Sequence, residues 1–351
     1  MLKWFFLICI LALAEERIAA QLFKSPSDRQ KQKLPDSLFI RKYDTLLHVQ
    51  SWISSNQMEY RLKYTKDFQL ILAPNEISNL SLGFSYRFLE LGFSFTPKFL
   101  NGNDVSAKGR SEKFSFGFGF SMHQFHLSFD ITSVKGFYLK NSEAFGRTIP
   151  DSPNFIFPNL RVGYFSTLLQ YNMNPRFSMA ALAGGTQAQA RSAWTIAPTF
   201  QFATFRFSTD VDTSGVQTEQ TYSTDLNLIV PVIGTVVLSP KFALSFGCGP
   251  SLGLDFFRAV AVNTDGKLIV TNGTKVSTGF TLQTALGYNS KRFYTGLESR
   301  YRIYGHKFQD LERLDKQYSY FQIYFGWRLR PPGFANRSLN WVNKVSPVKF
   351  D

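Results

Sequence analysis

His126-Leu127-Ser128, followed by Asp130, is the pattern in this chain closest to an acyl-transfer site. A histidine base beside a serine hydroxyl, steadied by a third polar group, is the pairing that nucleophilic catalysis requires. On an extended strand, residues two apart share a face and stand about 7 Å apart along the backbone. His126, Ser128 and Asp130 would therefore line up. Phe125, Leu127 and Phe129 claim the opposite, apolar face. The polar three are thus turned inward, away from any lipid substrate, and no glycine-flanked serine or oxyanion feature accompanies them. An ordinary polar row inside a β structure outweighs catalysis.

The other chemical candidates are weaker. His123 and His126 are neighbours, but no carboxylate or cysteine cluster joins them, and zinc generally wants three or four convergent ligands. No metal site is expected. Gly117-Phe118-Gly119 and Gly247-Cys248-Gly249 look superficially like phosphate loops, yet neither opens a helix, so no cofactor is expected either. Cys248 reads as a small buried or lipid-facing residue. The most suggestive charge feature is Arg292, Arg300 and Arg302, which share a strand face with Glu298. Lining a lumen, that row would favour anions. The competing reading is a packed lumen in which the arginines pair with Glu298 and with carboxylates on neighbouring strands.

These residues sit on strands. Period-two alternation dominates from about residue 43. In 276–288, Val276, Thr278, Phe280, Leu282, Thr284, Leu286 and Tyr288 share one face, and Ser277, Gly279, Thr281, Gln283, Ala285 and Gly287 share the other. Phe293, Leu297, Tyr301 and Ile303 oppose the arginine row, and Phe114, Phe116, Phe118 and Phe120 alternate with serine and glycine. A soluble sandwich also alternates. Three features favour a membrane barrel: runs of about 10 residues, a small or charged minority face, and aromatics near strand ends. Strands are predicted near 43–52, 59–72, 78–87, 89–99, 112–122, 125–134, 158–170, 176–185, 193–207, 222–237, 241–256, 276–288, 291–304 and 317–329. Short connections alternate with long ones except between 186 and 221. The prediction is an all-β, antiparallel, up-and-down transmembrane β-barrel of 12 to 14 strands.

The ends agree with export. Lys3 precedes the apolar run Trp4 to Ala14, the layout of a signal peptide, with cleavage after Ala14 or Ala20. That run is too short to span a bilayer, which takes about 20 residues. Residues 21–42 read as a periplasmic lead-in, 43–329 as the barrel and 330–351 as a tail. Removal of Cys9 with the signal peptide leaves Cys248 alone, which excludes an intrachain disulfide. The net charge of +14 would suggest nucleic acid in a cytosolic protein. For an exported chain, outer-membrane lipids are the expected partners, together with the barrel-assembly machinery and no nucleic acid.

Leu34-Pro35-Asp36-Ser37-Leu38-Phe39-Ile40-Arg41, Ala73-Pro74-Asn75, Asn174-Pro175-Arg176-Phe177-Ser178 and Arg191-Ser192-Ala193-Trp194 resemble stretches of an uncharacterised family. Its members are predicted outer-membrane barrels of Gram-negative bacteria, catalogued as a domain of unknown function. The likeness spans most of 34–330. It implies a barrel and brings no activity or site. The expectation is a non-enzymatic outer-membrane barrel with a structural or pore-like transport role. The alternatives are a lipid-modifying enzyme, since His126-x-Ser128 is similar to the pairing of outer-membrane phospholipases, or a secreted membrane-associated binding barrel.

Overall fold

A computed structural model describes residues 38–337 apart from 64–68, 76–77, 101–104, 123, 147–153, 183, 210–219, 263–267 and 309–310, and also residue 340. The expected signal peptide and most of the lead-in lie outside the described residues, as does His123.

The alternating segments form β1 (Ile40–Lys42), β2 (Leu47–Lys63), β3 (Gln69–Ala73), β4 (Ser78–Tyr86), β5 (Leu89–Phe95), β6 (Glu112–Met122), β7 (Phe125–Leu139) and β8 (Ile156–Tyr171). They continue as β9 (Gln187–Gln189), β10 (Ala193–Ile196), β11 (Thr199–Thr209), β12 (Gln220–Ile229), β13 (Val232–Val237), β14 (Phe242–Val262), β15 (Leu268–Asn289), β16 (Phe293–Phe308) and β17 (Leu311–Leu329). Every ladder is antiparallel, and β14 pairing with β15 closes the ring. β10 with β11, and β12 with β13, each make one stave interrupted at Pro198 or Pro231, because proline cannot donate to a ladder. The ring therefore has twelve staves, in the order β14, β12/β13, β10/β11, β8, β7, β6, β5, β4, β2, β17, β16, β15.

Two expected strands are corrected. Residues 47–52 of the first predicted strand and the start of 59–72 belong to one continuous stave, β2, while 43–46 form a turn; the polar middle at Ser54-Ser55-Asn56-Gln57 loses the apolar contrast that marks a strand. Residues 176–185 form no stave. Ser178 caps a short 3-10 turn by accepting the Ala181 amide, and Gly184 and Gly185 adopt positive φ.

β3 pairs with β2 on one side and with Leu139 and Tyr138 of β7 on the other. It bridges over the ends of β4, β5 and β6, so the ring narrows there from twelve staves to ten. The connections 96–111, 140–155 and 210–219 lie at this end, the extracellular one. The tight turns 87–88, 238–241 and 290–292 and both barrel termini lie at the other, periplasmic end, as in outer-membrane barrels, and so does the longer 172–192 connection.

Parity sorts the side chains as alternation demands. Ile53, Leu82, Phe93, Phe114, Ile131, Leu169, Phe200, Leu228, Leu252, Phe280, Leu297 and Ile323, one from each stave, are large, apolar and exposed. A soluble monomer rarely exposes more than a few hundred Å² of contiguous apolar surface. A belt around the whole circumference belongs in lipid. Its periplasmic rim carries an aromatic girdle, with Phe242–Tyr288 at 5.0 Å, Tyr288–Phe293 at 5.4 Å and Phe325–Trp327 at 4.1 Å between centroids. After Leu329 the chain turns back. A helical turn at 333–337 puts Asn336 in hydrogen-bond contact with the Tyr86 hydroxyl, and Asn340 accepts from Arg87 at 2.9 Å, fastening the tail to the β4–β5 turn.

Candidate functional site

The inward faces define three levels along the lumen. The periplasmic mouth holds a plug. β1 and β9 pair as a separate two-stranded sheet, from Ile40 opposite Gln189 to Lys42 opposite Gln187. Gln189 fixes the surrounding turns by donating to the carbonyls of Phe39, Arg176 and Arg191 at 3.2, 2.8 and 2.9 Å. Asn174 bonds the Trp194 carbonyl at 2.6 Å, and Phe177 is buried against Ala197 and Ile233 of the wall. Arg328, inward on β17, joins plug to barrel. Its guanidinium lies 3.9 Å over the Tyr43 ring and 4.7 Å over Tyr294, and donates to the carbonyls of Gly185 (2.9 Å) and Ser290. Gly184, at φ 74°, sits where a Cβ would collide with Tyr294 and Tyr324. Only glycine lets the plug backbone approach those rings so closely.

The middle level is polar. Arg300 bonds Glu298 through Nε, and Gln322 donates to the other Glu298 oxygen at 2.5 Å. Glu298 is 3% exposed while the Arg300 side chain is 54% exposed, so beyond that pair the arginine projects into open lumen. Arg302 donates to Gln201 across the interior at 3.4 Å. Asp130 has Arg300, His126, Lys113 and Arg302 as its electrostatic neighbours. β7 and β16 stand six places apart in the ring of twelve, so these charges converge from opposite walls. His126 Nδ1 meets Ser121 Oγ at 2.9 Å, and Ser121 in turn reaches Glu90 at 3.4 Å.

The third level closes the extracellular half. Lys316, 2% exposed, donates to Asp225 at 2.9 Å, Asp255 at 3.0 Å and Ser223 at 3.0 Å. Its ammonium also lies 4.3 Å from the Phe205 ring centre. Tyr60, Phe137, Val162, Ala203, Phe205 and Tyr304 are all nearly inaccessible and pack across the narrowed ring with Tyr318 and Phe207.

Glu298, Arg300, Arg302, His126, Ser128 and Asp130 all occupy inward positions, and the structure gathers them into one chamber. Arg292 departs from the expected row: it lies in the turn before β16, exposed, with its carbonyl accepting from the Arg328 amide. His126 is partnered by Ser121 rather than Ser128. Cys248 stands directly opposite Leu282 on the lipid-facing side. No group of His, Cys, Asp and Glu among the described residues could hold a metal ion. Lys316 escapes the sequence reading because it falls in 305–316, the connection between the last two predicted strands, next to Asp315 and Arg313. The usable signal was its parity with Tyr318, Tyr320 and Tyr324. The plug left its own trace in the motifs at 38–41, 174–178 and 191–194, which all meet there.

A family pattern matches residues 34–329, and its description is "Domain of unknown function (DUF4421)". The chain belongs to this family. No curated protein matches it. Among solved structures it is similar to the β domain of the Bordetella autotransporter Brka, with 9% identity, 80% of this chain and 98% of that one covered, and a TM-score of 0.42. An outer-membrane channel from Pseudomonas putida F1 gives 10% identity, 88% and 100% coverage and a TM-score of 0.38. The translocator domain of the autotransporter NalP from Neisseria meningitidis gives 14%, 91% and 97%, and 0.33. With its closed antiparallel ring and continuous apolar exterior, this family member is a transmembrane β-barrel.

Proposed function

We propose that the protein is a non-enzymatic outer-membrane barrel of transport type, closed at rest, with the periplasmic plug as its gate. The observation that carries this reading is the half-exposed Arg300 in a charged chamber behind a seal that is not part of the barrel wall. A barrel serving only as a scaffold would be expected to fill its interior with packed side chains. Here the middle level keeps open space and charge, while the seal is a separate sheet held by Arg328 and by a backbone-to-ring approach. Arg300, Arg302 and Lys113 stand against Glu90, Asp130 and Glu298. That balance favours a polar or zwitterionic solute over a simple anion. His126 bonded to Ser121 inside the lumen supports the non-enzymatic reading, because a base committed there activates no hydroxyl within reach of lipid.

The test is access to the chamber. In a Cys248→Ser background, Ser128→Cys should react slowly with a membrane-impermeant thiol reagent added from the periplasmic side. Arg328→Ala should speed that reaction at least tenfold, and openings in a planar bilayer should become correspondingly more frequent. Unchanged labelling in a variant that still shows heat-modifiable migration would make the plug a fixed part of a scaffold. A wild type that conducts steadily would show that the plug does not seal.

A further inference from the structure

We propose that an arginine cluster on the outer wall, Arg161, Arg206 and Arg258, binds the phosphate groups of a phosphorylated lipid in the outer leaflet. The three come from neighbouring staves: β8 pairs with β11, and β14 lies one stave beyond β11, with β12 between. All three are exposed. Each continues the outward row of its own strand, and below each that row is apolar: Leu169 and Phe165 on β8, Phe200 and Phe202 on β11, Leu252, Leu254 and Phe256 on β14. The change from hydrocarbon-facing side chains to arginine falls on the extracellular side, where head groups begin.

The registers set the spacing. Arg206 is directly opposite Tyr222, and Tyr222 is directly opposite Arg258. Two strand spacings of about 4.8 Å put Arg206 and Arg258 about 10 Å apart. Arg161 lies diagonal to Arg206, since Arg206 faces Gly163 and Ser208 faces Arg161. Such diagonal neighbours are about 7–8 Å apart. The Arg206 guanidinium rests 5.4 Å from the Tyr222 ring centre, which holds its fork at the wall. Arg161 and Arg258 have no ion-pair partner among the described residues. Glu112 stands opposite Lys135, one strand further from the arginines, and Lys135 is itself the cation opposite Arg161. Like charges set side by side on a sheet repel unless an anion lies between them. Arginine forks match phosphate oxygens in pairs, and basic residues at a membrane surface attract anionic head groups. A lipid is the source that fits, because the cluster borders the hydrocarbon belt and a lipid phosphate is delivered at that height.

The experiment uses the full mature chain folded in detergent micelles, with native mass spectrometry counting bound diphosphorylated lipid A. The wild type should retain the lipid, and Arg161→Gln/Arg206→Gln/Arg258→Gln should raise its half-saturating concentration at least tenfold. Lys241→Gln/Lys291→Gln, at the periplasmic turns, should leave it unchanged. Dephosphorylated lipid A should bind the wild type no better than the triple variant binds the phosphorylated form. Heat-modifiable migration verifies folding, and the single changes Arg161→Gln and Arg258→Gln, each expected to weaken binding severalfold, serve if the triple variant does not fold. Equal retention by wild type and folded variants would overturn the proposal. So would undiminished binding of the dephosphorylated lipid, or inorganic phosphate competing as well as the lipid does, which would indicate a site for soluble anions.

Discussion

Lys316→Met should cost the barrel about 3–5 kcal/mol, the loss expected when one partner of a buried ion pair is removed and its counter-charge is left behind. The geometry places this case at the severe end. Lys316 answers two carboxylates at once, and Asp225 and Asp255 are 1% and 2% exposed. Ser223 donates to both, at 3.1 and 2.8 Å, but a single hydroxyl proton cannot serve two anions together. Without the ammonium, two negative charges would face each other inside the tapered ring. Urea unfolding in vesicles, followed by tryptophan fluorescence and by heat-modifiable migration, reads the effect. The triple change Lys316→Met/Asp225→Asn/Asp255→Asn removes all three charges and should recover most of the loss. A Lys316→Met variant within about 1 kcal/mol of wild type, no more than an average substitution, would refute the assignment of this cluster as the closure of the extracellular half.

Charge on the wrong face of a single stave should produce the second large effect. Leu282 faces lipid and is directly opposite both Cys248 and Tyr301. Its neighbour Gln283 faces the lumen and is directly opposite Arg300. Arginine on the lipid face near the bilayer midplane costs about 2–4 kcal/mol, so Leu282→Arg should fold into liposomes poorly. Gln283→Glu, one residue away, adds a charge where Arg300 can answer it and should fold nearly as well as wild type. A water-soluble barrel would also penalise Leu282→Arg, so the decisive version uses fluorophores on Leu282→Cys and Gln283→Cys, each in a Cys248→Ser background. Brominated acyl chains should quench the probe at 282 and hardly affect the one at 283. Equal quenching at both positions would mean the register is wrong, and quenching at neither would mean that this strand never meets lipid.

Both variants exploit a property legible in the sequence. Side-chain parity is local: once Leu282 and Phe280 are assigned to lipid, Gln283 and Thr281 must face the lumen, whatever the strand pairs with. The same logic placed Glu298, Arg300 and Arg302 inside, turned His126, Ser128 and Asp130 away from lipid, and indicated a barrel from the length of the runs and the order of short and long loops. It failed where parity carries no contrast. Across residues 54–57 both faces are polar, so one stave was divided in two. At 176–185 apolar residues around an Asn-Pro turn looked like a strand, although Gly184 and Gly185 bend the chain at angles no stave allows.

What only the tertiary structure decided is which inward residues meet. Lys316 and Asp225 are separated by 91 positions, and Arg328 and Gly185 by 143. Their contact depends on the number of staves, on β3 bridging the top of the ring, and on a plug that folds back into the mouth. Alternation fixes the direction of each side chain along its own strand. The partner across the lumen is fixed only when the ring closes, because closure sets the diameter and the relative height of every stave.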